Sequence, residues 1–158
     1  MHSVSESWLF WAILAAIFAA LTAIFAKVGV SGVNSNFATF LRTIIVVLAL
    51  GLLIWLTGEV QSLSTISPKT GIFLVLSGLA TGASWLCYFR ALQLGKVSQV
   101  APIDKLSVLL AAIIAVVFLG EKLSMTGWSG VGLIGLGAVL VALAGYAPNE
   151  VPEQKSVW

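Results

Sequence analysis

The sequence predicts an all-α integral membrane protein built from five transmembrane helices. Three observations carry that prediction. Of the 158 residues, 59% are apolar and 9% are charged, whereas a soluble domain runs nearer half apolar and a quarter charged. Mean hydropathy is +1.08. Five stretches reach the roughly 20 mostly apolar residues that a helix needs to cross a bilayer: residues 8–26, 37–56, 72–94, 97–119 and 127–147. Eight Lys/Arg and six Asp/Glu cannot coat a water-facing globule, which excludes a soluble enzyme and leaves the lipid bilayer as the main solvent. The net charge of +2 is too small to build a basic patch, so no nucleic-acid partner is expected. One cysteine, Cys87, excludes a disulfide framework and a Cys-rich metal site. The single histidine, His2, gives no support to His-based catalysis, and no cofactor or metal is expected.

The first stretch, 8–26, is charge-free. The seven residues before it carry no Lys or Arg, and its apolar run is too long for a signal-peptide core, so it reads as a retained helix. Ala12, Ala16 and Ala20 recur at four-residue steps, with Ala19 and Ala23 beside them. Such small-residue rows let membrane helices approach closely. The second stretch carries one charge, Arg42, about a turn and a half from its start. An arginine there either snorkels to the interface or lines a cavity.

The third stretch places Ser77, Thr81, Ser84, Trp85 and Tyr88 at i, i+4, i+7, i+8 and i+11, on one side of the helix. A polar and aromatic face is expected to turn away from lipid. It either hydrogen-bonds neighbouring helices or lines a cavity, and Trp85 and Tyr88 each offer a ring with a polar tip to a bound solute. Arg90 lies off that face near the helix end and is expected to snorkel.

The fourth stretch is the least regular. Pro102 removes a backbone donor near its start, and Asp104 and Lys105 follow within the span. A charge at the centre of a membrane helix costs on the order of 2.5–3.5 kcal/mol by insertion scales, so each needs a reason. Asp104, Ser107, Ala111 and Ala115 share a face, which points the carboxylate inward. Lys105, about 100° away, could snorkel; adjacent helical residues do not face each other, so the two are not a simple ion pair unless the backbone opens near Pro102. A four-span chain with a re-entrant segment is the alternative. Glu121 and Lys122 stand in the short loop that follows. The fifth stretch aligns Gly127, Gly130, Gly137, Ala138 and Gly145 within an arc of about 100°, a second packing face. Residues 1–7 are a short leading segment, 8–147 the membrane domain, and 148–158 a flexible tail.

With five spans the chain ends lie on opposite faces. The face away from the N-terminus gathers Lys27, Lys96, Lys155 and Arg90, against Lys69 and Lys122 on the other. Positive charge favours the cytoplasm, so the expected topology is N-terminus out and C-terminus cytoplasmic. Trp8, Trp11, Trp55 and Trp128 fall at helix ends on the N-terminal face and read as an interfacial aromatic belt. No carboxylate lies in the first span.

The run at residues 80–124, ATGASWLCYFRALQLGKVSQVAPIDKLSVLLAAIIAVVFLGEKLS, resembles the EamA-type domain of the drug/metabolite transporter superfamily. The matching pieces are WLCYFRAL, the LGKVSQVAPI link and FLGEKLS before a Gly-rich last helix. The stretch ALTAIFAKVGVSGVNSNFATFLRT is similar to the small single-domain bacterial and archaeal members. The resemblance implies that the five helices form one transporter repeat. Larger relatives carry two such units, the second inverted, around a central cavity. It also implies export of a small metabolite, amino acid or drug-like solute across the inner membrane by alternating access. Carried over by position, the matching residues are Trp85, Tyr88, Pro102, Asp104, Lys105 and Glu121. With Thr81, Ser107 and Arg42 they make the expected substrate-binding or coupling set, with Pro102 as the hinge. One unit needs a second copy, so a homodimer is expected. An antiparallel pair requires dual insertion, whereas the Lys/Arg bias favours one orientation, and both polarities stay open. The alternative to a carrier is a non-transporting subunit packed beside a partner membrane protein. A membrane-embedded enzyme has the least support, since no nucleophile–base pair or metal cluster is visible.

Overall fold

The computed structural model describes residues 7–144. They form six helices: α1 (Trp8–Gly29), α2 (Ser35–Thr57), α3 (Pro68–Leu94), α4 (Val97–Asp104), α5 (Leu106–Phe118) and α6 (Met125–Ala144). A single 3-10 turn, Leu63–Thr65, precedes α3, and no strand occurs among the described residues. Taking α4 and α5 together as one span, Val97–Phe118, five segments are long and apolar enough to cross a membrane. The chain is an all-α membrane protein. It divides into two compact units, residues 1–95 and 96–158.

In the first unit α3 packs against both α1 and α2. Each helix starts and stops where local chemistry directs. Asn34 caps α2 by accepting from the Asn36 and Phe37 amides, at 2.9 and 3.3 Å. Ser67 caps α3 through the Thr70 amide at 3.1 Å, with Pro68 at the first helical position, where its missing N–H has no role. Gly58 ends α2 in the left-handed region at φ 69°, which lets the Glu59 amide turn back onto the Ile54 carbonyl at 3.2 Å. All three helices outrun the sequence expectation: α1 continues to Gly29, α2 begins at Ser35 and α3 at Pro68. Propagation of an existing helix through two to four further residues is easy once the capping groups lie farther out.

The second unit contains the main departure from the sequence reading. The fourth span is two helices meeting at Lys105, which has φ −71° and ψ −7°. There the bonding steps down to i→i−3: the Lys105 amide reaches the Pro102 carbonyl and the Val108 amide the Lys105 carbonyl, both at 3.0 Å. Pro102 has no amide to offer the Ser98 carbonyl, which weakens the ladder just before the break. In this unit α6 packs against both α4 and α5.

The small-residue rows are used less than expected. Of the α1 row only Ala23 is buried, while Ala12, Ala16, Ala19 and Ala20 are exposed. In α6 the buried pair is Gly135 and Ala138, and Gly130 and Gly137 are open. A Cβ on Gly135 would meet the Leu109 side chain at 3.6 Å, so the packing face is set a fraction of a turn from the predicted one. Gly145, the end of the predicted fifth helix at 145–147, the tail 148–158 and most of the leading segment lie outside the described residues. Of the four tryptophans of the expected belt, Trp8, Trp11 and Trp55 are exposed at helix ends, and Trp128, near the start of α6, is half-buried.

Candidate functional site

The helix ends on the side of the α1–α2 turn are tied by long polar side chains. Lys27 sits in the last turn of α1, and its Nζ donates to the Leu92 carbonyl at 2.6 Å and the Gly95 carbonyl at 2.8 Å. The last carbonyls of a helix have no internal amide partner and carry the negative end of its dipole. An ammonium placed there satisfies them and loses its own cost of burial. Gln93 adds a second tie, its Nε2 donating to the Val33 carbonyl at 2.8 Å, while its Oε1 accepts from Arg90 at 2.8 Å. Arg90 is thus held at the end of α3, on the exposed side. From sequence Lys27 is no more than a loop charge. The unused signal is a lysine within one helical turn of a span's end.

The same unit holds an open groove of about 540 Å³, with Phe25, Leu41 and Ile45 of its lining exposed. Thr22, Phe25, Ala26 and Gly29 of α1 form one wall, Ala38, Leu41, Arg42 and Ile45 of α2 another, and Phe89 of α3 and Val33 of the turn complete it. Arg42 lies seven residues into α2, about 10 Å along the axis at 1.5 Å per residue. Its guanidinium carbon sits 4.3 Å from the centre of the Trp85 ring and 5.2 Å from that of Phe89. An arginine over the negative face of an indole is attracted to it, the more so out of water. Of the two roles open to Arg42, the structure has it lining the groove. Trp85 lies one helical turn before Phe89, so the pair forms a platform from a simple i, i+4 spacing. Phe89 and the α1 residues had not been singled out from sequence.

The remaining residues of the predicted polar face divide. Trp85 and Tyr88 are half-buried, while Ser77, Thr81 and Ser84 are exposed, with the Thr81 hydroxyl donating back to the Ser77 carbonyl at 2.9 Å. Such back-bonding satisfies a hydroxyl on an otherwise apolar helix without a partner helix.

In the second unit Asp104 and Lys105 form an ion pair at 3.2 Å between Lys105 Nζ and Asp104 Oδ2. The pair is made between neighbours at the junction of α4 and α5, where Lys105 keeps a helical φ of −71° and the departure, ψ −7°, falls after it. Both side chains keep substantial exposure, 52% for Lys105 and 36% for Asp104, so the carboxylate is not turned fully inward. Ser107 is exposed one turn on, and Pro102 is half-buried. Glu121 is exposed in the loop after α5, where its amide closes onto the Ala115 carbonyl at 3.2 Å over the left-handed Gly120. The structure therefore joins Arg42 with Trp85 in the first unit, and Asp104 with Lys105 in the second. No group of three or more His, Cys, Asp or Glu that could hold a metal occurs among the described residues.

Comparison with known proteins bears on what such a bundle does. The model of the EamA-like transporter family matches residues 6–143. A Sinorhizobium protein named "Uncharacterized transporter in cobO 3'region" is 55% identical over 140 residues, covering 89% of this chain and 99% of that protein. No solved structure matches the chain.

Proposed function

This chain belongs to the EamA-like transporter family and is a multi-pass membrane transporter; we propose that it is a secondary carrier that exports a small solute by alternating access as a homodimer. The observation that carries this reading is the break in the fourth span. The break sets the two charges beside a point where the backbone departs from a continuous helix, and there one charge satisfies the other at 3.2 Å. Such a pair can also be unmade. A solute ammonium or a coupling cation that takes over the carboxylate releases Lys105, and the short α4 segment ending at the break can move with it. Broken helices with charges at depth are a recurring way to build solute sites in carriers. Thr81, Ser107, Tyr88 and Glu121 are assigned to the solute path or its mouth on chemistry alone, with Pro102 as the hinge.

What supports a second copy is exposed surface. Ser77, Thr81 and Ser84 form a polar face, and Ala12, Ala16 and Ala20 a close-approach row, both exposed on spanning helices. In a bilayer each is better placed against protein than against lipid. The proposed setting is the inner membrane, N-terminus outside and C-terminus cytoplasmic.

The test is flux into inside-out vesicles across a panel of amino acids and small amphipathic solutes. Asp104→Asn is expected to lower flux at least tenfold while expression and monodispersity are kept. A wild-type rate in that variant removes the ion pair from the mechanism. A monomeric mass in lipid nanodiscs with full activity removes the dimer.

A further inference from the structure

We propose that the groove of the first unit is an anion site, and that it takes an organic monoanion with a compact apolar body, a carboxylate or phosphate head carried on an aryl or branched alkyl group. This names the class of solute for the carrier proposed above. Its meaning for transport rests on that reading; its meaning for binding does not.

Lys27 and Arg42, in α1 and α2, are satisfied in different ways. Lys27 donates to two carbonyls, at 2.6 and 2.8 Å. Arg42 is engaged differently. It lies over Trp85 and Phe89, and ring faces fix a guanidinium without occupying the N–H groups at its edge. Among the described residues no carboxylate pairs with it, the ion pair there being Lys105–Asp104; Tyr88 is a further polar group within its electrostatic reach. A cation held in place but not neutralised, at the wall of a groove, favours a ligand that brings the missing charge. The planar fork matches the two oxygens of a carboxylate or phosphate.

The rest of the wall sets the other half of the ligand. Phe25, Leu41, Ile45 and Phe89 are apolar, and Thr22 is the one other side chain of the lining that carries a hydrogen-bonding group. A hydrated inorganic anion would have to give up its water to these surfaces with a single charged partner in return. An anion with an apolar body gains from the same surfaces. The volume of about 540 Å³ is within the 300–1,000 Å³ range usual for small-molecule sites.

The same chemistry could come from a dissolved solute or from the head group of an anionic lipid, and the experiment separates them. Wild-type protein in phosphatidylcholine nanodiscs is titrated with 4-phenylbutyrate, its neutral amide and inorganic phosphate, by calorimetry. Binding of the carboxylate with at least tenfold weaker binding of the amide and of phosphate is expected. Arg42→Gln is expected to weaken the carboxylate at least tenfold, and Arg42→Lys less, because a point charge replaces the fork. Ala38→Leu, which narrows the groove and leaves Arg42 in place, is expected to weaken it as well and keeps the test decisive should the arginine variants not fold. Phosphatidylglycerol discs give the second arm. Arg42-dependent retention of that lipid, with no binding of the free carboxylate, assigns the anion site to a lipid head group. Equal binding of acid and amide, indifference to Arg42→Gln in a folded variant, or binding of neither the carboxylate nor the anionic lipid overturns the site. Flux of 4-phenylbutyrate in proteoliposomes is read separately. Arg42-dependent binding without flux strikes the carrier reading and leaves the anion site standing, whereas flux of other solutes with no anion binding does the reverse.

Discussion

Lys27 and Lys105 are both lysines placed inside spans, and the chain handles them in opposite ways. At the end of α1 the ammonium is taken up by backbone carbonyls at the C-terminus of α3. These acceptors cannot move away without unravelling a helix end. At the break in the fourth span the ammonium is taken up by the side chain of the preceding residue, which a rotamer change or a competing cation can displace. The first arrangement builds a wall and the second a switch. Residue type does not distinguish them; the rigidity of the acceptor does.

The largest effect on stability is therefore expected at Lys27. Lys27→Met removes two hydrogen bonds from a charged donor and leaves the Leu92 and Gly95 carbonyls without that partner. Bonds to charged groups are worth about 1.5–3 kcal/mol each, and an unsatisfied buried acceptor costs about as much as a lost bond. The last carbonyls of a helix can recover part of this from water at the interface. A net loss of about 3 kcal/mol is expected, read as a lowered midpoint of chemical unfolding in mild detergent, with Lys27→Arg recovering part of it. A change within about 0.5 kcal/mol would mean that the ends of α1 and α3 are held by packing alone.

The next effect sharpens the contrast from the second unit, where close approach matters more. A Cβ on Gly135 meets Leu109 at ordinary contact distance, 3.6 Å, so Gly135→Ala fits. Gly135→Ile forces its extra carbons into α5, at the roughly 1–3 kcal/mol typical of overpacking. Gly137, two residues on, faces open space, and Gly137→Ile is expected to stay within about 0.5 kcal/mol. Unfolding midpoints of the three variants in one detergent make the comparison. Equal losses at 135 and 137 would return the packing face to the row predicted from sequence.

How much of this was legible in the chain follows from what kind of signal each feature leaves. The five spans were readable because hydrocarbon thickness sets their length, and an apolar run of that length needs no tertiary information. The break was readable in part: Pro102 marked a weak ladder, but the position of the discontinuity, three residues later, depends on where the backbone can shorten its bonds. Arg42 was visible as an expensive residue. Its partners were not, because the Trp85–Phe89 platform belongs to another helix, and which faces of two helices meet is a packing outcome. The α6 face was missed by a fraction of a turn for the same reason. Glycines are frequent in membrane helices, so several rows compete, and side chains such as Leu109 decide between them. Lys27 was readable as a charge and not as a clamp, since its acceptors are backbone carbonyls, which every residue has.

The smallest expected effect is the most telling for the proposed switch. Lys105→Met leaves Asp104 without its amine. In a lipid-facing position that would strand a carboxylate in hydrocarbon and cost several kcal/mol. In a water-filled passage the carboxylate hydrates, and losing an exposed pair costs no more than about 1 kcal/mol. The side chains are 52% and 36% exposed, and a carrier requires that this exposure be to water. The expected result is therefore a shift of less than about 1 kcal/mol in the unfolding midpoint, together with altered solute flux in vesicles. A loss of several kcal/mol, restored by the second change Asp104→Asn, would put the pair against lipid and make it a second structural clamp in the manner of Lys27.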